Sequence, residues 1–423
     1  MFKPIVFMFI FTKLFFSANS KTHPADIKAL NALKNGVDPR SITPGSCLSS
    51  WDFTIDPCDN IFTDHFTCGL RCDRVISGLV RVTEITIDPV GYSGSLTSVP
   101  WDHLRYLNTL DISDNSFSGL VPNEFSNLTR LRRLGLSGNS FAGEIPSFLG
   151  SLHQLEELYL DNNRLHGAIP SSFNNLTKLK RLEIQRNCIS GEFPDLGSLK
   201  NLYFIDVSDN NISGGVPSTL PLSLVELSMR NNKLNGNIPH EIDKVRFLQV
   251  LDLSHNMFAG TVPSVLFRHP SLEQLTLSYN EFSSLQVPAV DITLNSNLIA
   301  LDLSYNKLRG LLPAFMASMP KLTALSLERN EFTGMIPAQY AVKAAVAGND
   351  NTSSFERLLL GGNYLVGPIP GPLLGLKPGS ADVSLADNCL YRCPDAFFFC
   401  RGRDQKSAVD CKSFGPTIPQ EID

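Results

Sequence analysis

The sequence predicts an α/β repeat solenoid, and three observations carry that prediction. The first is a unit, L-x-L-x-x-N-x-L-x-G-x-I-P, plainest over residues 158–170, that recurs down the chain. Its asparagine stands at Asn115, Asn139, Asn163, Asn187, Asn210, Asn232, Asn256, Asn280, Asn306, Asn330, Asn363 and Asn388. Successive gaps of 24, 24, 24, 23, 22, 24, 24, 26, 24, 33 and 25 residues give the fixed period of a stacked-repeat architecture. The second observation is alternation at the head of each unit, as in Leu158-Tyr159-Leu160, which marks a short strand with one buried face. The third is a glycine and a proline in nearly every period, which argues against a solenoid of helix pairs.

Each position of the unit has a physical task. The asparagine ends the strand where the chain turns inward and its backbone groups need partners. An amide side chain offers both donors and an acceptor, so a column of asparagines can bond loop backbone from turn to turn. Glycine, as at Gly167, Gly260 and Gly310, opens a conformation closed to other residues. Proline, as at Pro170 and Pro263, fixes the return segment and discourages helix. A second apolar run, Leu149, Leu152 and Leu155, lies on the convex side and feeds the next strand. No copy buries its apolar face alone; stacked copies share one continuous core. A degenerate copy, ITIDPVGYSGSL, precedes the twelve good ones, with Val90 in the asparagine's place.

The repeating residues resemble the leucine-rich repeat family in its plant extracellular subtype, marked by the G-x-I-P half of the unit over roughly residues 80–390. The resemblance implies a right-handed superhelix with a concave parallel sheet and disulfide-stapled caps at both ends.

In chain order, residues 1–20 read as a secretory signal peptide: Lys3, a mostly apolar run interrupted by Lys13, then small residues at 18–20. The run is too short, and too charged, for a membrane anchor, and no later run of 18 apolar residues follows. Removing Lys3 and Lys13 takes the formal charge from −5 to −7, which argues against nucleic acid and anionic membrane as partners.

Residues 21–80 form the expected amino-terminal cap. Pro24 opens a helix with Ile27, Leu30 and Leu33 on one face. Cys47, Cys58, Cys68 and Cys72 follow, twice the pair usual in the family's cap, and four cysteines allow three connectivities. Alignment of GLRCD with the family's second cap cysteine implies Cys58–Cys72 with Cys47–Cys68.

The repeats are expected over 81–388. The copy at Asn280 lacks its glycine, and nine extra residues around AQYAVKAAVAGNDNTSS separate Asn330 from Asn363; such an insertion emerges as a surface loop. Residues 389–411 hold Cys389, Cys393, Cys400 and Cys411 and read as the second cap. Their arrangement resembles the end of the repeat domain in leucine-rich repeat extensins, which implies Cys389–Cys411 and Cys393–Cys400. Residues 412–423 are expected to be disordered. With a leader and cap positions, disulfides are favoured over zinc. Cys188 is left single. Sequons at Asn127, Asn175, Asn211 and Asn351 are expected glycosylation sites in a secreted chain.

No G-x-S-x-G, H-E-x-x-H, Walker loop or helix-opening G-x-G-x-x-G occurs, so no enzyme, cofactor or metal is expected. Binding is expected on the outward x positions of the strands. Tyr159, Arg181, Glu183, Arg186 and Phe204 form one candidate group. His255, Tyr279, Tyr305 and Arg329 form a second, a column just before the asparagine, running about 15 Å at a strand spacing of about 4.8 Å. Donors at His255 and Arg329 favour an acidic or carboxyl-ended ligand.

The expected function is a secreted recognition module of the plant apoplast or cell wall, in signalling or defence, binding an extracellular peptide, protein or polysaccharide. Polygalacturonase-inhibiting proteins are a soluble analogue in the family. Two further readings stand beside it. One is a wall structural or assembly protein of extensin type, opposed by the lack of a Pro/Ser-rich tail. The other is a receptor-like ectodomain acting with a membrane receptor kinase.

Overall fold

The structure is a computed structural model that describes residues 21–288, 295–345 and 353–412. The expected leader, the tail beyond residue 412 and the sequon at Asn351 lie outside the described residues. Each copy contributes a three-residue strand, from Thr109–Asp111 through Arg133–Gly135 and Glu157–Tyr159 to Asp382–Ser384. These strands pair in parallel, turn upon turn. With Leu79–Thr86, which is the degenerate copy, and Leu70–Ile76 ahead of them they form a 14-stranded sheet. Leu110, Leu134, Leu158 and Leu182 fall in one register column and are fully buried. Burying each such side chain contributes about 1.5–3 kcal/mol, which a single copy has no neighbour to supply.

The asparagine column does what its chemistry requires. Asn256 is representative: Nδ2 donates to Met229 O of the preceding turn at 3.0 Å and to Leu253 O and Ser254 O at 3.1 Å. Its Oδ1 accepts from Leu234 N at 3.0 Å. The pattern reaches back into the degenerate copy, where Asn115 Oδ1 accepts from Gly91 N and Tyr92 N at 3.1 and 3.0 Å.

On the convex side the prolines do not abolish helix altogether. Pro122, Pro146, Pro170 and Pro239 each cap a short 3₁₀ turn: Asn123–Asn127, Ser147–Ser151, Ser171–Asn175 and His240–Lys244. Proline needs no amide partner at a helix start, so it begins these turns while forbidding their extension.

After the asparagine a second strand leaves each turn, and these form a flanking sheet in two pieces, nine-stranded up to Glu281–Leu285 and four-stranded from Arg309–Leu311. The break falls on the copy without glycine. Gly260 and Gly310 hold φ of 77° and 94°, whereas Ser284, in the equivalent place, stays out of that region. Its strand runs on extended, slips register against Gly260 and Thr261, and the next strand does not join it. A cleft of about 530 Å³ opens there, lined by Leu285, Leu311, Phe315 and Phe332 among others.

The insertion after Asn330 is not simply a loop. Its first part is a helix, Ala338–Ala345, that buries Tyr340, Ala341 and Ala344. Tyr340 donates to Pro313 O at 2.9 Å, and the Lys343 ammonium lies 5.0 Å from the Phe355 ring. Burial lowers the Lys343 pKa to about 8. Three apolar residues on one helical face outweigh the loop tendency of the stretch.

Both ends are stapled. The structure pairs Cys47 with Cys68, Cys58 with Cys72, Cys389 with Cys411 and Cys393 with Cys400. Leu70–Ile76 turns through Ser77 and Gly78, both at positive φ as a type I′ hairpin requires, and covers the open edge of Leu79–Thr86. The cap helix Pro24–Asn35 packs its Ala29, Leu30 and Leu33 face inward. Ile27 is only half buried, and Asp26 holds the inner position instead.

Candidate functional site

The alternating strands set the outward side chains, and the two candidate groups differ in how far those side chains are already engaged. In the first group the side chains are tied to one another. The Arg133 guanidinium lies 4.4 Å from the Tyr159 ring and donates to Asp111 at 2.9 Å and to Glu157, whose Oε2 also accepts from the Tyr159 hydroxyl at 3.0 Å. Arg181 pairs with Glu183 and covers the Phe204 ring at 3.5 Å. Arg186 stands apart, exposed, 3.8 Å from Asp209. The group is a laced surface with few free valences.

The second group is built differently. His255 stacks on Tyr279 with centroids 4.1 Å apart and planes at 12°, and Tyr279 on Tyr305 at 4.1 Å and 9°. Because the rings face each other, the stack offers edges and hydroxyls to solvent rather than faces. Tyr279 and Tyr305 are both more than two-fifths exposed. The neighbouring Tyr305 raises the pKa of Tyr279 above its ordinary value.

This column occupies a left-handed backbone position. Apart from Arg186 at 55°, the other left-handed turns fill it with Asp114, Asn162, Asp209, Asn231 and Asp387, all near φ 52–56°, or with Gly138 and Gly362. Those are the residues that tolerate the conformation. His255, Tyr279, Tyr305 and Arg329 adopt the same φ, 52–55°, at a cost of roughly 1–2 kcal/mol each.

Arg329 does not complete the stack as a free cation. It leans past Gly362 to Asp387, at 3.0 Å, which also binds Lys406 at 2.7 Å and Arg403 at 3.5 Å. The concave strands around the stack also carry carboxylates, Asp206, Glu226, Asp252, Asp302 and Glu328. Burial before all else raises the carboxyl pKa of Asp206, Glu226 and Glu328, and neighbouring carboxylates add to it. The expectation of an acidic ligand therefore changes: the one guanidinium of the column is occupied, and the surrounding charge is negative.

Asp206 supplies a pH test. Its folded pKa lies above the ordinary 3.8, so the stability it contributes is full below the unfolded value and is lost as pH rises through the folded one. Asp206→Asn keeps the acceptor that Ser208 N uses at 2.9 Å. The variant is expected to melt higher than wild type at pH 7 and equally at pH 3, read by calorimetry. His269, buried and with its pKa lowered by desolvation, titrates in the opposite sense, so the difference between the two proteins is the readout.

Among the described residues the one tight group of potential metal ligands, Cys47, Cys68 and Asp88, rests on a disulfide, and Asp88 accepts from Tyr92 at 2.7 Å. No described helix is long and apolar enough to cross a membrane. Asn127 and Asn175 lie exposed at the ends of convex turns, while Asn211, half buried, begins the flanking strand Asn211–Gly214. Cys188 is exposed at the start of Cys188–Glu192.

A family model described as a leucine-rich repeat region matches residues 91–356, more than half of the chain, and one for the leucine-rich repeat N-terminal domain matches 23–63. The chain is a leucine-rich repeat protein. As such it is 41% identical over 106 residues to lumican of Bos taurus, a stretch that spans 24% of this chain and 28% of lumican. It is 39% identical over 89 residues to Receptor-like protein 32 of Arabidopsis thaliana, 20% of this chain and 10% of that protein. Among solved structures, this leucine-rich repeat protein superposes on the ectodomain of the Arabidopsis receptor kinase HAESA, solved with an extended IDA peptide hormone. The TM-score is 0.50 at 27% identity, covering 86% of this chain and 69% of that one. The fold is that of plant receptor ectodomains.

Proposed function

We propose that the chain is an exported recognition module that binds an extracellular peptide along its concave face, with the His255–Tyr279–Tyr305 stack as the anchor. One observation carries this reading. Four successive turns place bulky residues at a backbone position that, Arg186 apart, the other left-handed turns fill with Asp, Asn or Gly, and a cost retained over a run of turns against an available cheaper residue points to a functional site. Exposed, pre-stacked tyrosines are also the residues that dominate interfaces, because they lose little entropy on binding. The carboxylates alongside favour a ligand whose side chains are neutral or basic. HAESA, of the same fold, was solved with a peptide hormone bound, which supports a peptide over a polysaccharide. In this reading the module acts by binding and not by catalysis, and it works in the plant wall space with a membrane-borne partner to transmit the signal.

The test is retention of peptides from plant wall fluid on immobilised wild type and on Tyr279→Asn/Tyr305→Asn. Asparagine suits the left-handed position, so the double variant is expected to keep its stability within about 1 kcal/mol, the lost stacking being offset by relieved strain. A peptide held by wild type is expected to be depleted at least tenfold on the variant. Equal recovery on both would reject the site.

A further inference from the structure

Away from the concave stack, the first turns gather arginines around one ring. Residues Arg81, Tyr106 and Arg130 hold equivalent places in three successive turns, each three residues ahead of the register row Glu84, Thr109 and Arg133. The guanidinium carbons of Arg81 and Arg130 lie 4.4 and 4.6 Å from the Tyr106 ring centroid, and that of Arg74 lies at 5.6 Å. Arg81 is buried and committed to Asp26. Arg74 and Arg130 are exposed, and among the described residues no carboxylate stands within ion-pair distance of either. The ring thus holds two like charges close together with nothing to neutralise them.

Arg74, Tyr106 and Arg130 wall a polar pocket of about 450 Å³ together with Asn108, Arg132, Gln154 and Asp73. Its hydrogen-bonding capacity is lopsided. Asp73 is engaged by Arg71 at 2.7 Å, and the Gln154 carbonyl by Lys178 at 2.6 Å. Arg132 donates to Glu156 at 3.3 Å and keeps other N–H groups free by its fork geometry. The Asn108 carbonyl already accepts from Thr109 at 3.2 Å, which leaves its amide protons. A site with donors in excess and its acceptors engaged matches an oxyanion, which accepts only.

We propose that this pocket binds an oxyanion group, sulfate, phosphate or carboxylate, carried on a larger molecule, with Arg74 and Arg130 as its principal contacts and Tyr106 as the platform that holds them. The pocket is several times the volume of one such group, so a bare ion fills it only in part. The row continues past Gln154 to Lys178, and a chain bearing several anionic groups would reach it over about 15 Å at the strand spacing. The site is independent of the peptide anchor.

The test uses the exported full-length chain and two probes at constant ionic strength: inorganic sulfate and a heparin-derived hexasaccharide, titrated by calorimetry. The hexasaccharide is expected to bind at least tenfold tighter than sulfate. Arg74→Ala/Arg130→Ala should weaken it tenfold or more, and Tyr106→Leu, which keeps the apolar packing but releases the guanidiniums, should weaken it several-fold. Arg357→Ala, an exposed arginine paired with Asp382, should leave it unchanged. Melting temperatures without probe report whether each variant folds, and Arg130→Gln alone serves if the double variant does not. Sulfate binding as tightly as the hexasaccharide would limit the site to a single free anion and overturn the larger ligand. No saturable binding of either probe, or binding indifferent to Arg74 and Arg130, would overturn the site itself.

Discussion

Replacing Asp26 with alanine is expected to destabilise the amino-terminal cap by roughly 3–5 kcal/mol, the cost of leaving a buried charge without its partner. Asp26 is fully buried in the first turn of the cap helix. Its carboxylate accepts Arg81 Nε at 3.0 Å and Nη2, and also the backbone amide of Val82 at 2.8 Å. Arg81 in turn donates to His103 O at 2.9 Å, so this one carboxylate joins the cap helix, the first strand and the turn beyond it. Alanine there leaves a guanidinium and an amide unsatisfied at once. The same double loss makes Asp26→Ala/Arg81→Met milder than Asp26→Ala alone, because the stranded charge is then gone. Guanidinium denaturation of wild type and the two variants checks this, with limited proteolysis reporting on the cap. A change below about 1 kcal/mol for Asp26→Ala would mean that the cap is held by its disulfides and apolar face, and that the ion pair adds nothing.

Substituting Asn306 is expected to cost about 3 kcal/mol. Its Nδ2 donates to Leu277 O at 2.9 Å and to Leu303 O and Ser304 O at 3.1 Å, and its Oδ1 accepts from Phe282 N at 3.0 Å. Alanine strands buried backbone groups on two adjacent turns, each worth about 1–3 kcal/mol when unpaired. Aspartate keeps the acceptor, loses the donors and buries a charge, so it is expected to be no better. Asn187→Ala, at a more open rung of the same column, should cost less. Hydrogen exchange at Phe282 N is the local reporter: it should accelerate in Asn306→Ala. Unchanged protection there would show that water replaces the amide without loss.

Most of the fold was legible because its determinants are local and repeated. The Leu-x-Leu alternation and the asparagine recur within each turn and the glycine in nearly every one; the missing glycine of the copy at Asn280 could be read, but not the break in the flanking sheet that falls there. What the pattern hid was pairing over distance. Counting apolar residues on the cap helix selects Ile27, because nothing near Asp26 reveals Arg81, 55 residues on. The outward positions of the candidate site followed from alternation, and the aromatic column could be named. That Arg329 turns away to Asp387 could not, since the partner lies 58 residues off, in the last turn. The arginines around Tyr106 went unnoticed for a related reason: Arg74 and Arg81 come from the two strands at the amino-terminal edge and Arg130 from a turn further on, so no single period shows them together. In the insertion, the helix Ala338–Ala345 was masked by its length, a little over two turns, where periodicity carries little weight.

The divided flanking sheet has a mechanical consequence. Every other junction between neighbouring turns is sewn along two seams, the strand before the asparagine and the strand after it. Between Glu281–Leu285 and Arg309–Leu311 the second seam narrows to one backbone bond, from Lys307 N to Phe282 O at 2.9 Å, and the turns are joined mainly by the inner strands Gln274–Thr276 and Ala300–Asp302 with the asparagine rung between them. In a chain of nearest-neighbour couplings the weakest link sets where cooperativity fails. Pulled from its ends, the molecule should therefore part first at that junction, releasing the last turns and their cystine lid as one block.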